Sequence, residues 1–230
     1  MTRGGPRRSL LFDLDGTIVR NDDLHFEAFK HILAPFDRGL TRHEFDEHVS
    51  GRANREIMAH LLPEVTEADV LTRLVEAKES HYRARASAGI EPVRGLAALL
   101  EWARAHDLSM ALVTNAPRVN AELVLDTLGL RENFAAVVIA DELANGKPHP
   151  LPYLTALDRL DVPAHRAVAF EDSRSGVRSA CAAGVAVLGM AGTLSREELV
   201  AAGARDGFDH FDDPRLLPMI EGCLGIAPPE

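Results

Sequence analysis

Two aspartates one residue apart follow a short apolar segment near the start of the chain. Asp13 and Asp15 end the run LLFDLD and are followed at once by Gly16. The apolar run predicts a buried strand, in which side chains two residues apart point the same way. Neighbouring carboxylates repel each other unless a cation lies between them. The spacing therefore favours a cation site at the end of this strand.

A calcium-binding loop and a solvated turn are the structural alternatives for this pattern. An EF-hand loop carries three spaced acids before its glycine and a glutamate further on. After Gly16 the chain reads TIVRND, which does not fit that pattern. The calcium loop is therefore excluded, and a catalytic role for Asp13 and Asp15 is favoured.

Apolar runs alternate with helical patterns along most of the chain. The runs predict strands over 9–13, 109–115, 135–141, 167–172 and 185–190. Each run is continuous, as in strands buried on both faces. Alternation of strands and helices predicts an α/β fold with a Rossmann-like parallel sheet. The exception is 21–88, which reads as helices only. We therefore predict a core of 1–20 and 89–230 with an inserted α-helical cap domain at 21–88.

Polar residues also follow the later strands. Thr114 and Asn115 end the second, Lys147 follows the third in NGKPHP, and Glu171 and Asp172 end the fourth. In an open parallel sheet, ligands bind beyond the carboxyl ends of the strands. Four segments thus bring acids, a hydroxyl, an amide and an ammonium to the edge where the first two aspartates lie.

These residue types suit phosphoryl transfer, which depends on positioning and charge stabilisation. Asp13 and Asp172, with help from Glu171, form a hard oxygen cluster that suits Mg²⁺. An ionised carboxylate there can act as a nucleophile. Lys147 would neutralise the acids or a phosphoryl group. The hydroxyl and amide after the second strand, just before a predicted helix, can donate to phosphoryl oxygens.

Composition narrows the class of protein. The chain has 230 residues, 46% hydrophobic and 26% charged, with a net charge of −10. These values exclude a basic nucleic-acid footprint. Cys181 and Cys223 show no metal spacing, and two lone thiols favour a reducing compartment, with a disulfide between them as the alternative. No run approaches the roughly 18 apolar residues of a membrane span, and the basic N-terminal segment lacks the apolar stretch of a signal peptide. We expect a cytoplasmic protein, a monomer or homodimer, with neither nucleic acid nor membrane as partner.

Four motifs resemble a known family. FDLDGT, VTN, GKPHP and FEDS are similar, in order, to the four motifs of the haloacid dehalogenase (HAD) superfamily. The helical segment after the first strand resembles that superfamily's mobile cap. Within the superfamily, the chain is similar to sugar-phosphate phosphatases and to beta-phosphoglucomutase, and VTNAP, NAEL, GKPHPLPYL and FEDSRSG carry the closer similarity to the phosphatases.

The resemblance implies a role for each matching residue. Asp13 is expected to be the nucleophile, and Asp15 the general acid and base. Mg²⁺ is expected to be bound by Asp13, Asp172 and the backbone carbonyl of Asp15, while Glu171 ligates the metal or holds a neighbouring group. The residues expected to hold the phosphoryl group are Thr114, Asn115 and Lys147.

The predicted cap offers further candidates for substrate contact. His25 matches a histidine that faces the active site in beta-phosphoglucomutase. SGRANREI, residues 50–57, resembles a cap loop that contacts substrate. Charged residues on a small helical lobe are also commonly solvated, which is the alternative for each candidate. The candidates in this region besides His25 are Arg52, Asn54 and Lys78. The segment departs from the family at RND, where Arg20 and Asn21 stand near the place of a usual aspartate.

The sequence therefore predicts an Mg²⁺-dependent phosphatase that hydrolyses a small phosphate monoester, a sugar or polyol phosphate, through an aspartyl-phosphate on Asp13. A phosphomutase would share every core residue. A catalytically idle binding protein would have no need of four intact catalytic positions. Phosphoglycolate, a deoxy-sugar phosphate and a glycerol phosphate all remain open as substrates.

Overall fold

A parallel sheet of six strands forms the centre of the molecule. The computed structural model describes residues 7–49 and 51–226, with Arg55 described by its backbone alone. The strands are β1 (Ser9–Phe12), β2 (Ser109–Thr114), β3 (Ala136–Ile139), β4 (Ala167–Glu171), β5 (Ala186–Met190) and β6 (Asp206–Phe208). Their order in the sheet is β3-β2-β1-β4-β5-β6, and every pair is parallel. The predicted α/β class with a parallel Rossmann-like sheet is confirmed.

Ten α-helices accompany the strands in the described part of the chain. They are α1 (Asp22–Leu33), α2 (Arg42–His48), α3 (Asn54–Leu61), α4 (Ala68–Ala86), α5 (Leu96–Ala105), α6 (Arg118–Thr127), α7 (Leu151–Leu160), α8 (Arg174–Ala182), α9 (Arg196–Ala202) and α10 (Leu216–Leu224). None of the helices in residues 7–49 and 51–226 has the length and apolar character that crossing a membrane requires.

Both faces of the sheet are buried, which explains why the strands read as continuous apolar runs. On β1, Leu10 and Phe12 pack into a core beneath α5, α6 and α10. Leu11 points to the opposite face and packs into a second core beneath α7, α8 and α9. Alternation of side chains along a strand produces this division. A strand with helices on both faces therefore leaves only its ends open for polar chemistry.

Helices α1 to α4 form a separate layer, here called the helical insert (residues 22–86). Helix α1 packs along α4. The insert has a core of its own, centred on buried residues such as Phe29, Phe45 and Leu61. The chain enters it from β1 and leaves it shortly before Val93, whose N–H donates to the carbonyl of Ile18. The predicted boundaries at 21 and 88, and the function of the insert as a cap, stay predictions.

Candidate active site

The carboxyl ends of β1, β2 and β4 meet at one pocket. Phe12 pairs in register with Leu112 on one side and Phe170 on the other, so the residue after each of them lies at the same edge. The backbone N–H of Asp13 donates to the carbonyl of Phe170 at 3.1 Å, which continues the pairing of β1 with β4 one residue beyond the end of β1. The sequence-predicted residues that line the pocket are Asp13, Asp15, His25, Arg52, Asn54, Lys78, Thr114, Asn115, Lys147 and Asp172.

Lys147 is buried at the centre of the site and is bonded on three sides. Its Nζ lies 2.5 Å from Oδ1 of Asp13 and 2.6 Å from Oε1 of Glu171, and donates to the carbonyl of Val113 at 2.8 Å. An ammonium has three protons to donate, and these contacts use all of them. Burial lowers the pKa of Lys147, but the two carboxylates outweigh it and raise that pKa. Lys147 was predicted to neutralise either the acids or a phosphoryl group. In the structure it contacts the carboxylates of Asp13 and Glu171.

Glu171 lies behind the pocket wall and is completely buried. Its Oε1 accepts hydrogen bonds from Lys147 and from the hydroxyl of Tyr153, the latter at 2.5 Å. Burial and the Glu171 charge raise the pKa of Tyr153, so the phenol keeps its proton. Sequence reasoning missed Tyr153, although it lies in the quoted motif GKPHPLPYL. Glu171 therefore uses one oxygen to hold Lys147.

Three buried carboxylates form an oxygen cluster. Asp13, Glu171 and Asp172 each offer an oxygen within 4.8 Å of the others. Burial raises the pKa of Asp13 to about 8, opposed by Lys147 and reinforced by Glu171. Burial, with the charge of Asp13, also raises the pKa of Asp172 well above its ordinary value. Such crowding is relieved when a divalent cation binds, because a bound cation favours the ionised forms.

A glycine makes room for this cluster. Gly16 has φ of +78°, and a Cβ there would lie 1.9 Å from Oδ2 of Asp172. Only glycine allows both this backbone conformation and this close approach. The all-oxygen donor set and its net negative charge fit Mg²⁺.

Asp15 has an environment unlike that of Asp13. Its Oδ1 accepts from the side-chain amide of Asn21 at 2.5 Å and lies 3.5 Å from Nε2 of His25. Burial raises the pKa of Asp15, but the hydrogen bonds from His25 and Asn21 and the nearby charge of Lys78 outweigh it and lower that pKa. Environments that push two pKa values apart assign different roles to two carboxyl groups.

The helical insert orients His25. Its ring stacks on Tyr82 at 4.1 Å between centroids, and its Nδ1 lies 3.1 Å from Nζ of Lys78. Lys78 can only donate, so Nδ1 accepts and the proton of a neutral imidazole is assigned to Nε2, which faces Asp15. Asn21 also donates to the hydroxyl of Tyr82 at 2.7 Å. Asn21 and Tyr82 are further residues of the site that sequence reasoning did not assign.

Thr114 and Asn115 offer donors at the end of β2. Oγ1 of Thr114 accepts from the N–H of Ala116 at 2.9 Å, which leaves the hydroxyl proton to donate. Oδ1 of Asn115 accepts from the backbone N–H of Lys147 at 3.2 Å. Nδ2 of Asn115 is buried and has no hydrogen-bond partner among the described residues. A buried donor without a partner is costly, so this amide is suited to a ligand oxygen.

Arg52 and Asn54 reach the pocket from the start of α3. Arg52 is exposed, and its Nη2 donates to the carbonyl of Glu47. Asn54 donates to Oε1 of Glu79 at 2.9 Å. Ser50, the first residue of the quoted cap loop, lies outside the described residues. Arg20, which departs from the family pattern, donates to the carbonyls of Ala191 and Asp209 instead of facing the pocket.

Most of the chain matches a known protein family. The family described as haloacid dehalogenase-like hydrolase matches residues 10–190. This chain belongs to that family. It is therefore an enzyme of the hydrolase class, as the four motifs predict, and the family resemblance is confirmed.

Named relatives and solved structures cover nearly the whole chain. A phosphorylated carbohydrates phosphatase of Thermotoga maritima is 29% identical over 85% of this chain and 91% of its own length. A phosphoglycolate phosphatase of Rhodospirillum rubrum is 33% identical over 89% of this chain and 88% of its own. A variant of CbbY of Rhodobacter sphaeroides, solved with xylulose-1,5-bisphosphate, has a TM-score of 0.81 at 30% identity and covers 90% of this chain and 96% of its own.

The first testable prediction concerns Gly176, whose missing side chain leaves room for the carboxylate of Glu171. A Cβ on Gly176 in α8 would lie 1.8 Å from Oε2 of Glu171, whereas a Cβ on Gly222 in α10 meets nothing within 4 Å. Gly176→Ala is expected to displace the carboxylate and Lys147 with it, lowering kcat/KM about a hundredfold and the free energy of unfolding by about 2 kcal/mol. Activity assays and urea unfolding measure both effects.

Gly222→Ala is the matched control for that variant. It makes the same substitution inside a helix and is expected to raise the free energy of unfolding by about 0.5–1 kcal/mol with unchanged kcat/KM. Unchanged activity in Gly176→Ala would show that Glu171 does not position the site.

Proposed function

We propose that this enzyme hydrolyses small phosphate monoesters through a phosphoryl group carried by Asp13. The observation that carries the proposal is the pairing of two different carboxyl groups in one pocket. Asp13 contacts Lys147, while Asp15 has separate donors from Asn21 and His25. A nucleophile and a proton carrier need this difference in environment. The phosphatase names of the relatives agree with the chemistry.

In the first half of the reaction, an oxygen of Asp13 forms a bond to phosphorus while the bond to the leaving oxygen breaks. Asp15 supplies the proton that the leaving oxygen takes. Its pKa is low in the free site, and a phosphoryl anion beside it raises that pKa, so that it takes up a proton on binding. Lys147 holds Asp13 in position. The donors of Thr114 and Asn115 hold the phosphoryl oxygens.

In the second half, Asp15 acts as the base. It takes a proton from water, the water oxygen bonds to phosphorus, and the acyl-phosphate bond to Asp13 breaks. The hydrogen bond from Asn21 and the facing His25 stabilise the ionised form that a base requires. One carboxyl group thus gives a proton to the leaving alcohol and then regains a proton from water.

Mg²⁺ is the cofactor that fits this site. Asp13, Asp172 and the backbone carbonyl of Asp15 would hold it, and a bound Mg²⁺ supplies positive charge that stabilises phosphoryl oxygens. Glu171 holds Lys147 in place through Oε1, which also accepts from Tyr153.

The helical insert serves as the cap of this site. Contacts across the pocket hold it against the sheet domain. Thr193 donates to Asp22 at 2.8 Å, and Ser175 donates to the carbonyl of Gly51. A closed insert excludes bulk water during phosphoryl transfer, and its opening admits substrate.

The second prediction tests the function itself. Phosphate release is measured from glycerol phosphate, hexose 1- and 6-phosphates and phosphoglycolate, with Mg²⁺ and then with EDTA. Release is expected with Mg²⁺ only. Asp13→Asn is expected to lower kcat at least about a hundredfold because the covalent route is lost. Asp126→Asn, an exposed change on α6, is the matched control and keeps full activity.

Other outcomes of that assay would overturn the phosphatase. Interconversion of hexose phosphates on addition of a sugar bisphosphate, without net phosphate release, would indicate a phosphomutase. Absence of turnover on any ester with Mg²⁺ would favour a binding protein without catalytic activity.

The third prediction separates the two roles of Asp15. For an alkyl phosphate, Asp15→Asn is expected to slow phosphoryl transfer about 10²–10⁴-fold because the leaving oxygen needs its proton. For p-nitrophenyl phosphate, whose leaving group needs none, transfer survives while hydrolysis slows. A burst of nitrophenol followed by slow turnover is expected. Asp23→Asn, an exposed neighbour, is the control; equal losses on both esters would contradict the acid role.

A further inference from the structure

A buried glutamate from the helical insert contributes to the lining of the pocket. Glu79 lies in α4 and is 2% exposed, yet it belongs to the pocket wall. Phe29 and Phe45 line the same wall. None of the roles assigned above uses Glu79. A buried carboxylate is costly, and in a pocket that takes an anionic ester it also carries the same sign of charge as the ligand.

The hydrogen bonds of Glu79 leave part of its capacity unused. Oε1 accepts from Lys78 and Asn54, both at 2.9 Å. Oε2 accepts from Nδ2 of Asn120 in α6 at 2.6 Å. An ionised carboxylate offers about four acceptor positions and no donor. The three bonds given by the described residues leave an acceptor position on Oε2.

Glu79 is ionised at neutral pH. Burial raises the pKa of Glu79, but the charge of Lys78 and the hydrogen bonds to the carboxylate outweigh it and lower that pKa. Lys78 contacts Glu79 and His25 with its ammonium, so its charge is already opposed. Arg52 is a cation of the same wall, but it is exposed at the rim. Lys78 and Glu79 form an ion pair in which the ammonium lies on Oε1. Oε2, whose hydrogen-bond partner is the neutral amide of Asn120, is therefore an oxygen acceptor with no cation in contact among the described residues.

We propose that Glu79 determines specificity by accepting a hydrogen bond from a hydroxyl of the leaving group and by repelling a second anionic group. The preferred substrate class is then a phosphate ester of an uncharged polyol or sugar. This inference rests on the proposed phosphatase function.

The chemistry of the two kinds of leaving group explains the selection. A hydroxyl can donate to the acceptor position on Oε2, and the aromatic wall can cover the carbon chain. A carboxylate has no proton to donate at neutral pH, and a second phosphate is largely without one. Either group would bring its charged oxygens against the lone pairs of Oε2 in a buried place, which is unfavourable. Discrimination thus uses an attractive and a repulsive element together.

The test compares kcat/KM for sorbitol 6-phosphate, which has an uncharged leaving group, and for phosphoglycolate, whose leaving group carries a carboxylate. The wild-type enzyme is expected to prefer the polyol ester at least about tenfold. Glu79→Gln removes the charge and adds a donor, so it is expected to reduce that ratio at least about tenfold. A ratio is the appropriate measure because structural damage lowers activity on both esters alike.

Two further variants complete the experiment. Asp69→Asn removes a charge from an exposed side chain at the start of α4, paired with Arg73 and outside the hydrogen bonds of Glu79, and is expected to leave the ratio unchanged. Glu79→Asp keeps the charge and is expected to keep the preference for the polyol ester. If Glu79→Gln does not fold, the wild-type ratio and Glu79→Asp still decide the matter.

The outcomes distinguish the two levels of the proposal. Turnover of both esters with a wild-type preference for phosphoglycolate, or with a ratio that Glu79→Gln does not move, would overturn the role of Glu79 and leave the phosphatase intact. Absence of Mg²⁺-dependent turnover on these two esters and on the other esters of the second prediction would overturn the phosphatase, and the specificity inference with it.

Discussion

The buried ammonium of Lys147 is the group on which the rest of the site depends. It joins Asp13 after β1, Glu171 at the end of β4 and a carbonyl of β2. Without that cation, acids crowded at the carboxyl ends of adjacent strands would repel each other at high cost. Tyr153 and the absence of a side chain at Gly176 hold Glu171 for this contact. The central sheet thus builds an anionic cluster that fits a second cation.

The two aspartates of the first motif receive their environments from different parts of the chain. The sheet supplies the partner of Asp13, whereas residues in and next to the helical insert surround Asp15. His25, which lies near Asp15, stacks on Tyr82 and contacts Lys78, two residues of α4. An intact site therefore requires the insert to pack over the sheet. Cap closure and the protonation of Asp15 are coupled for this reason in the proposed reaction.

Sequence patterns predicted the sheet and its polar edge because continuous apolar runs and strand ends are local features. The short strand β6 was missed, since Asp206–Phe208 is three residues long and contains a glycine. Tyr153 and Glu79 were missed because their partners, Glu171 and Asn120, are distant in sequence and helical periodicity does not reveal them. The sequence did mark Asn21 as part of a departure from the family pattern. Its contact with Asp15 became visible only in the structure.

Chemical trapping of the phosphoryl group tests the central claim most directly. The Asp15→Asn enzyme is mixed with p-nitrophenyl phosphate and Mg²⁺, quenched with borohydride, digested and analysed by mass spectrometry. Borohydride reduces an acyl-phosphate to an alcohol, so the account predicts homoserine at position 13 and unmodified aspartate at position 172. Turnover without homoserine at position 13, or with the modification at another acid, would contradict the assignment of Asp13 as the residue that carries the phosphoryl group.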